Sequence, residues 1–352
     1  MSTKTQLPSL NGLRALSVIT VVLFHLSAQH YELFFNQSNF LVDTFFKFVS
    51  HGYMGVNFFF IISGFLITLL LLEEEKKTGT ILVKKFYIRR MLRIFPAYYF
   101  MLYVYLILQL LGVLHIPVAS WITALTFTKY FNWSLDWYTA HAWSLSIEEQ
   151  FYLAWPLIFL CGNKSRKYTA IILALAVPAN RIFLHFHPVE WMNRLTIFLR
   201  IDAIAIGCLT ALYKDQILLI LEKYWRPAFY FSCTCLFFLL PAYHWIEKIP
   251  FLSAMLIPIG SIDGTFANLL YATILLCSIY GPQGIWFKFL NSRAASFVGK
   301  ISYSIYLWQT FFLSDEKDFL RRFPVNVLMI LIVATSSYYV IERPFLKLKS
   351  RF

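Results

Sequence analysis

Apolar residues along this chain come in long runs separated by short polar, mostly basic breaks. An α-helix needs roughly 20 mostly apolar residues to cross a bilayer's hydrocarbon core. Runs of that kind, some a few residues shorter, lie at about 10–29, 52–72, 93–114, 146–161, 168–187, 198–213, 227–243, 265–281, 300–314 and 324–341. They predict an all-α, polytopic membrane protein with about ten spans. A shorter apolar piece near 119–131 could be an eleventh, and the basic breaks decide against it. Residues 73–93 hold Lys76, Lys77, Lys84, Lys85, Arg89, Arg90 and Arg93, and cytoplasmic loops collect Lys and Arg. With that loop inside, the loop holding Lys164, Arg166 and Lys167 is inside only if 119–131 does not cross. The piece is therefore expected to lie along the outer surface, with both termini cytoplasmic. The outer loop with Arg321 and Arg322 fits this pattern least well, although Asp315, Glu316 and Asp318 partly offset it.

Composition agrees with the pattern. The chain is 59% hydrophobic and 14% charged, against about 25% charged for a soluble protein. Residues 1–352 therefore read as one membrane domain. The net charge of +13 belongs to inner loops, and no nucleic-acid partner is expected. Cys161, Cys208, Cys233, Cys235 and Cys277 lie in or beside apolar runs without metal-ligand spacing, so neither a metal site nor a disulfide is expected. The first run could imitate a signal peptide, but Arg14 and His25 within it point to a retained span. No internal repeat or low-complexity segment is evident.

Some residues are out of place in such a chain. Arg14 and His25 are eleven positions apart in the first run. Eleven residues make about three helical turns, so the two share a face roughly 16 Å apart, Arg14 toward the cytoplasm and His25 in the outer half. Ionisable groups at such depth usually face a polar interior, although snorkelling or a carbonyl contact would explain either residue alone. In KKFYIRRMLRIFPAYY, Arg90 and Arg93 are i,i+3 and Arg89 and Arg93 are i,i+4, so each pair shares a face. This is either an ordinary inner anchor or a phosphate site for a nucleotide-containing donor. In HAWSLSIEEQFYLAWP, Glu148 and Glu149 lie near the outer end of the fourth span. Ser144 or Ser146 could cap that helix, and Ser144, Glu148 and Tyr152 form an i,i+4 polar stripe. A histidine and a carboxylate in a shielded site can act as base and orienting group; the sequence leaves open which glutamate does so. Arg181, Arg200, Asp202 and Glu342 read as members of structural pairs, with the partner of Asp202 unassigned.

Taken together, these motifs resemble acyltransferase family 3, membrane proteins that O-acylate bacterial glycans and related molecules. Arg14 and His25 resemble the family's Arg/Lys-x10-His pair. GVNFFFIISGFLIT (55–68) resembles its second-helix signature, RMLRIFPAYY (90–99) its Arg-x-x-Arg motif, and HAWSLSIEEQFYLAWP (141–156) its most recognisable block. FVGKISYSIYLWQ and IERPF resemble its last two helices. The resemblance implies transfer of an acyl group, often acetyl from acetyl-CoA, to a hydroxyl on the outer side. It implies His25 as base or acyl carrier, Glu148 and less firmly Glu149 as acid partner, and Arg14, Arg90 and Arg93 as handling acyl-CoA. Ser144, Ser146 and Tyr152 would support the site or bind the acceptor. Gln309 stands where some members have histidine, so no role is carried there.

The expected partners are acyl-CoA as co-substrate, a glycan or glycolipid acceptor and membrane lipids, with no tightly bound cofactor or metal. A homo-oligomer is compatible with the sequence. The expected location is the bacterial inner membrane. Some members carry a soluble esterase-like C-terminal domain that completes transfer. None is expected here, so the chain would finish the reaction alone or pass the acyl group to a separate protein. The rival readings are a proton-coupled transporter or flippase, disfavoured because no matched pair of interrupted half-helices is evident, and a non-catalytic scaffold.

Overall fold

The computed structural model describes residues 7–29, 40–131, 136–187, 189, 197–246, 250–314, 318–349 and 352. Asp315 and Glu316, expected to offset the outer arginines, lie outside these residues. Among the described residues the chain is helical with no strand. In chain order the helices are α1 (Leu10–Gln29), α2 (Phe40–Ser50), α3 (Met54–Thr78), α4 (Val83–Leu110), α5 (Val118–Leu125), α6 (Trp137–Ala140) and α7 (Ala142–Leu160). There follow α8 (Asn163–Phe186), α9 (Ile197–Leu212), α10 (Lys214–Leu221), α11 (Trp225–Ile246), α12 (Pro250–Tyr280) and α13 (Ile285–Leu290). The last are α14 (Arg293–Phe312), α15 (Val325–Ser337) and α16 (Arg343–Lys349), the final two joined by a π-helical turn, Tyr338–Glu342.

Each apolar run seen in the sequence falls on a helix. Five helices among the described residues are long and apolar enough to cross a membrane: Leu10–Ala28, Met54–Thr78, Val83–Leu110, Asn163–Phe186 and Val325–Lys349. Arg200–Leu212 and Lys214–Leu221, bent by 78° at their break, make a sixth if counted as one span. The fourth expected span is α7, whose apolar character is diluted by Glu148, Glu149 and Gln150.

The chain divides into two compact units. The first comprises Met1–Leu69, Lys167–Asn193 and Phe198–Ser302; the second comprises Leu70–Arg166, Arg194–Ile197 and Tyr303–Phe352. The first unit is held by close backbone approach at glycine. A Cβ on Gly64 would lie 2.1 Å from the Ile204 carbonyl oxygen, and one on Gly207 would lie 2.2 Å from that of Ile61. Between helices in lipid, small residues let backbones approach and gain dispersion contacts that no hydrophobic effect supplies. Gly55 plays the same part against α1, where an added Cβ would meet Thr20 Oγ1 at 2.3 Å.

In the second unit the 119–131 piece finds its place. Helix α5 has eight residues, about 12 Å, too short to cross. It runs beside α4. Gln109 Oε1 accepts from Trp121 Nε1 and the Ile116 amide, both at 3.0 Å. Tyr98 donates to the Ala124 carbonyl at 2.9 Å and Tyr99 to that of Leu125 at 3.0 Å. Phe127 then stacks on Phe95 and Tyr98. These tyrosines and Gln109 supply partners for the carbonyls at the end of α5 and for the loop amide of Ile116, which helix geometry alone would leave without any. Lys129 and Asp136 close the segment as a buried ion pair at 2.6 Å. Asp136 also accepts from the Thr139 amide and hydroxyl at 2.7 and 2.6 Å. Burial holds the Lys129 ammonium below its ordinary pKa despite that partner. Burial alone would raise Asp136, but Lys129 and Thr139 outweigh it and hold its carboxyl below the usual range.

Candidate active site

In the first unit, α1 is unbroken from Leu10 to Gln29, so Arg14 and His25 do share a face. Both are half-buried. The His25 ring lies 5.2 Å from that of Phe24, which lies 5.6 Å from Tyr53. Tyr53 also meets the His51 ring at 5.8 Å and carries the Arg200 guanidinium 5.2 Å from its centroid. His51 has its Nδ1 2.8 Å from the Lys47 carbonyl, which fixes the ring's orientation. Behind these groups runs a polar relay. Arg200 Nη1 donates to Asn57 Oδ1 at 3.1 Å, Asn57 Nδ2 to Asn268 Oδ1 at 3.1 Å, and Asn268 Nδ2 to Asp202 Oδ2 at 3.2 Å. Asp202 Oδ2 also accepts from Thr265 at 2.6 Å and pairs with Arg181. Arg181 is thus the partner that Asp202 lacked in the sequence.

In the second unit, α7 presents Glu149, which is buried, and Glu148, which is half-buried. Glu149 Oε1 has no hydrogen-bond partner among the described residues. Arg90 lies in the field of both glutamates, with its guanidinium 4.7 Å from the Tyr152 ring centroid and 5.6 Å from that of Phe86. Arg93, half-buried and three residues on, follows on the same side of α4. The Tyr303 hydroxyl sits in the field of Glu149, Glu342 and Glu148 and donates to the Ile94 carbonyl at 3.0 Å. Glu342, on the π-helical turn, accepts from Ser304 at 3.1 Å. The Tyr152 ring thus lies against the Arg90 cation.

The two serines are absorbed by the fold. Ser144 Oγ lies 2.5 Å from the Tyr306 hydroxyl, and both donate to the His141 carbonyl, at 3.1 and 3.0 Å. Ser146 donates to the Ala142 carbonyl at 2.8 Å and accepts the Lys129 amide at 3.2 Å. These bonds tie α7 to its neighbours. Arg89 pairs with Glu74 at 3.1 Å, and Arg166 forks onto Glu75 at 2.7 and 2.9 Å. Of the basic cluster on α4, Arg90 is the member turned toward the α7 glutamates.

Sequence reasoning missed Tyr53, Asn57 and the connection of Arg200 to them. Asn57 is the one amide in the GVNFFFIISGF run, and that polar interruption was the available signal. Lys129 and Asp136 were likewise visible as charges in an aromatic stretch.

Residues 7–342 match the family described as "Acyltransferase domain". The chain is similar to O-acetyltransferase OatA of Staphylococcus aureus strain NCTC 8325 / PS 47 and of strain COL. In each case it is 28% identical over 378 residues, covering 97% of this chain and 57% of the relative. The chain thus spans a little over half the length of these relatives. No solved structure matches.

Proposed function

The chain belongs to this acyltransferase family, and from that premise we propose that it is a multi-pass O-acyltransferase of the bacterial inner membrane. Its proposed reaction moves an acyl group, acetyl foremost, from cytosolic acyl-CoA to a hydroxyl of an envelope glycan on the outer face. The acceptor class is a lipopolysaccharide O-antigen, capsule or exopolysaccharide. The proposed topology has about ten spans with both termini cytoplasmic, as the distribution of Lys and Arg requires.

The observation that carries this reading is the α7 acid pair, with Glu149 buried in an apolar helical unit and facing Arg90. Ionisable groups in such a setting mark functional sites. His25 takes the proton of the attacking hydroxyl or carries the acyl group; Glu148 or Glu149 serves as the acid. Arg14, Arg90 and Arg93 hold the phosphates of acyl-CoA, to which guanidinium forks are suited. The names of the S. aureus relatives support acetyl as the group transferred.

The test uses purified protein in nanodiscs with radiolabelled acetyl-CoA and envelope polysaccharide stripped of its esters by mild alkali. Label should move to the polysaccharide as free CoA appears, and His25→Ala should abolish both. A His25→Ala protein acetylating at the wild-type rate would remove His25 from the mechanism. A wild type that neither consumes acetyl-CoA nor labels polysaccharide would favour the transporter reading. Mass spectrometry of envelope glycans from cells with and without the protein identifies the ester and its sugar.

A further inference from the structure

Helix α1 carries both Arg14 and His25, and each of its ends is held by a different device. The outer half rests on α3 and the turn before it. A Cβ on Gly52 would lie 2.9 Å from that of Phe24 and would strike the Thr20 carbonyl, and Gly55 comes as close to Ser17 and Thr20. The inner end docks on α13 and the start of α14. A Cβ on Gly12 would lie 2.6 Å from the Leu290 Cα, and one on Gly299 would strike the Asn11 carbonyl and lie 2.8 Å from the Asn11 Cα. Backbones this close leave α1 little room to slide or roll. All of these residues belong to the first unit.

A pair of hydrogen bonds closes the inner contact. The Ser9 amide donates to Asn291 Oδ1 and Asn291 Nδ2 donates to Ser9 Oγ, both at 2.9 Å. Asn291 Nδ2 also donates to the Phe287 carbonyl of α13 at 2.8 Å, so its own helix fixes the orientation of the amide. Ser9 is buried, and its carbonyl accepts from the Leu13 amide at 2.9 Å, closing the first turn of α1. Its φ of +62° lies in the left-handed region, which strains a residue with a Cβ and which glycine enters freely. Serine supplies there what glycine lacks, an Oγ for Asn291. Strained backbone persists where its surroundings fix it, and it gathers at sites that need a set geometry. Arg14 is five residues beyond Ser9, about 7.5 Å along the helix, whereas His25 is sixteen residues beyond it, about 24 Å.

We propose that Asn291 is a positioning residue for donor binding: through Ser9 it fixes the depth and rotation at which α1 presents Arg14. This rests on the reading of Arg14 as one of the residues that hold acyl-CoA. Along α1, Arg14 is near the Ser9–Asn291 latch and His25 is near the glycine seat on α3, so the two residues answer to different contacts. Without the latch, the inner end of α1 can shift and roll about that seat, which moves Arg14 more than His25. The signature is weaker donor binding with the chemical step kept. A merely structural role reads differently. Loss of folded protein lowers the apparent kcat, because fewer molecules turn over, and leaves KM where it was.

The experiment compares wild type, Arg14→Ala, Asn291→Ala and Asn291→Asp in nanodiscs, with acetyl-CoA varied and de-esterified envelope polysaccharide as acceptor. Calorimetric titration with CoA gives the donor affinity directly. Asn291→Ala should raise KM for acetyl-CoA and Kd for CoA by about 10–10²-fold, with kcat within about twofold of wild type. Asn291→Asp, whose carboxylate can accept from both the amide and the hydroxyl of Ser9, should restore most of the loss. A wild-type KM and Kd in Asn291→Ala, or a defect confined to kcat, overturns the proposal. Should Asn291→Ala fail to fold, Ser9→Ala serves in its place, since it removes one bond of the pair and keeps the other. Its Kd for CoA should rise by a smaller factor, and an unchanged Kd would again overturn the proposal. An inactive wild type that does not bind CoA ends the acyl-transfer reading, and this assignment with it. A wild-type Kd in Arg14→Ala ends the reading of Arg14 as a donor residue, whereas a raised Kd there and none in Asn291→Ala ends only the latch.

Discussion

The two units treat buried charge differently. In the second, Lys129 and Asp136 form a closed pair, each within hydrogen-bond reach of the other and the carboxylate further satisfied by Thr139. In the first, Arg181 and Asp202 close in the same way, and the relay runs on through Asn268 and Asn57 to Arg200, whose hydrogen-bonded oxygen among the described residues is the neutral Asn57 Oδ1. Glu149 is the counterpart in the second unit, buried with one oxygen unpaired among the described residues. A closed pair costs desolvation energy and recovers it by Coulomb attraction and hydrogen bonds, so it can only hold structure. A charge left open retains its capacity to bind, and that is where chemistry is to be sought. The contrast separates scaffold charges from working charges even though both lie in apolar surroundings.

The contrast can be broken by substitution. The largest effect is expected at the closed pair. Asp136→Asn leaves the Lys129 ammonium buried and unpaired and should cost about 3–5 kcal/mol, read as a large fall in melting temperature in detergent. The double variant Lys129→Met/Asp136→Leu should recover most of that loss. The pair also sets an acid limit. Because folding lowers the Asp136 pKa, its stabilisation is present above the unfolded value of about 3.9 and lost as pH falls further, through the folded value. Asp136→Asn should accordingly flatten the melting-temperature profile below about pH 4.

Next in size is the open acid. Glu149→Gln keeps the shape of the side chain and should leave the melting temperature near that of wild type. It should lower acyl transfer by about 10²-fold or more if Glu149 works with the reacting groups; Glu148→Gln, assayed alongside, shows which carboxylate acts. A smaller effect is expected from Tyr152→Leu, which removes the ring beneath Arg90. About 1–2 kcal/mol of cation–π support is lost there, seen as a higher KM for acetyl-CoA if Arg90 binds the donor. The smallest belongs to the part-buried pair of Arg89 and Glu74. Glu74→Gln should change stability by less than about 1 kcal/mol and leave transfer unaltered. A large activity loss in Glu74→Gln would show that the basic cluster acts as one unit.

Much of the architecture was legible in the sequence because helix formation in lipid is a local matter. A run of apolar residues must satisfy its own backbone hydrogen bonds, and only a helix does so within one segment. The shared face of Arg14 and His25 follows from the same local geometry, as does the placement of Arg90 and Arg93 on one side of α4. Other features depended on partners far along the chain. Asp202 met Arg181 from a helix 21 residues earlier. Ser144 read as part of a polar stripe until Tyr306, 162 residues on, engaged it. Arg200 looked like half of a structural pair until the Asn57 relay showed what it meets instead.

By itself, then, the sequence determined that the chain is helical, where its apolar segments lie and which charged residues share a helix face, because these depend on periodicity within a segment. Only the tertiary structure decided which charges are matched and which are left open. That depends on which side chains from separate helices arrive at the same place, and glycine contacts such as Gly64 on Ile204 bring those helices close enough for it to happen.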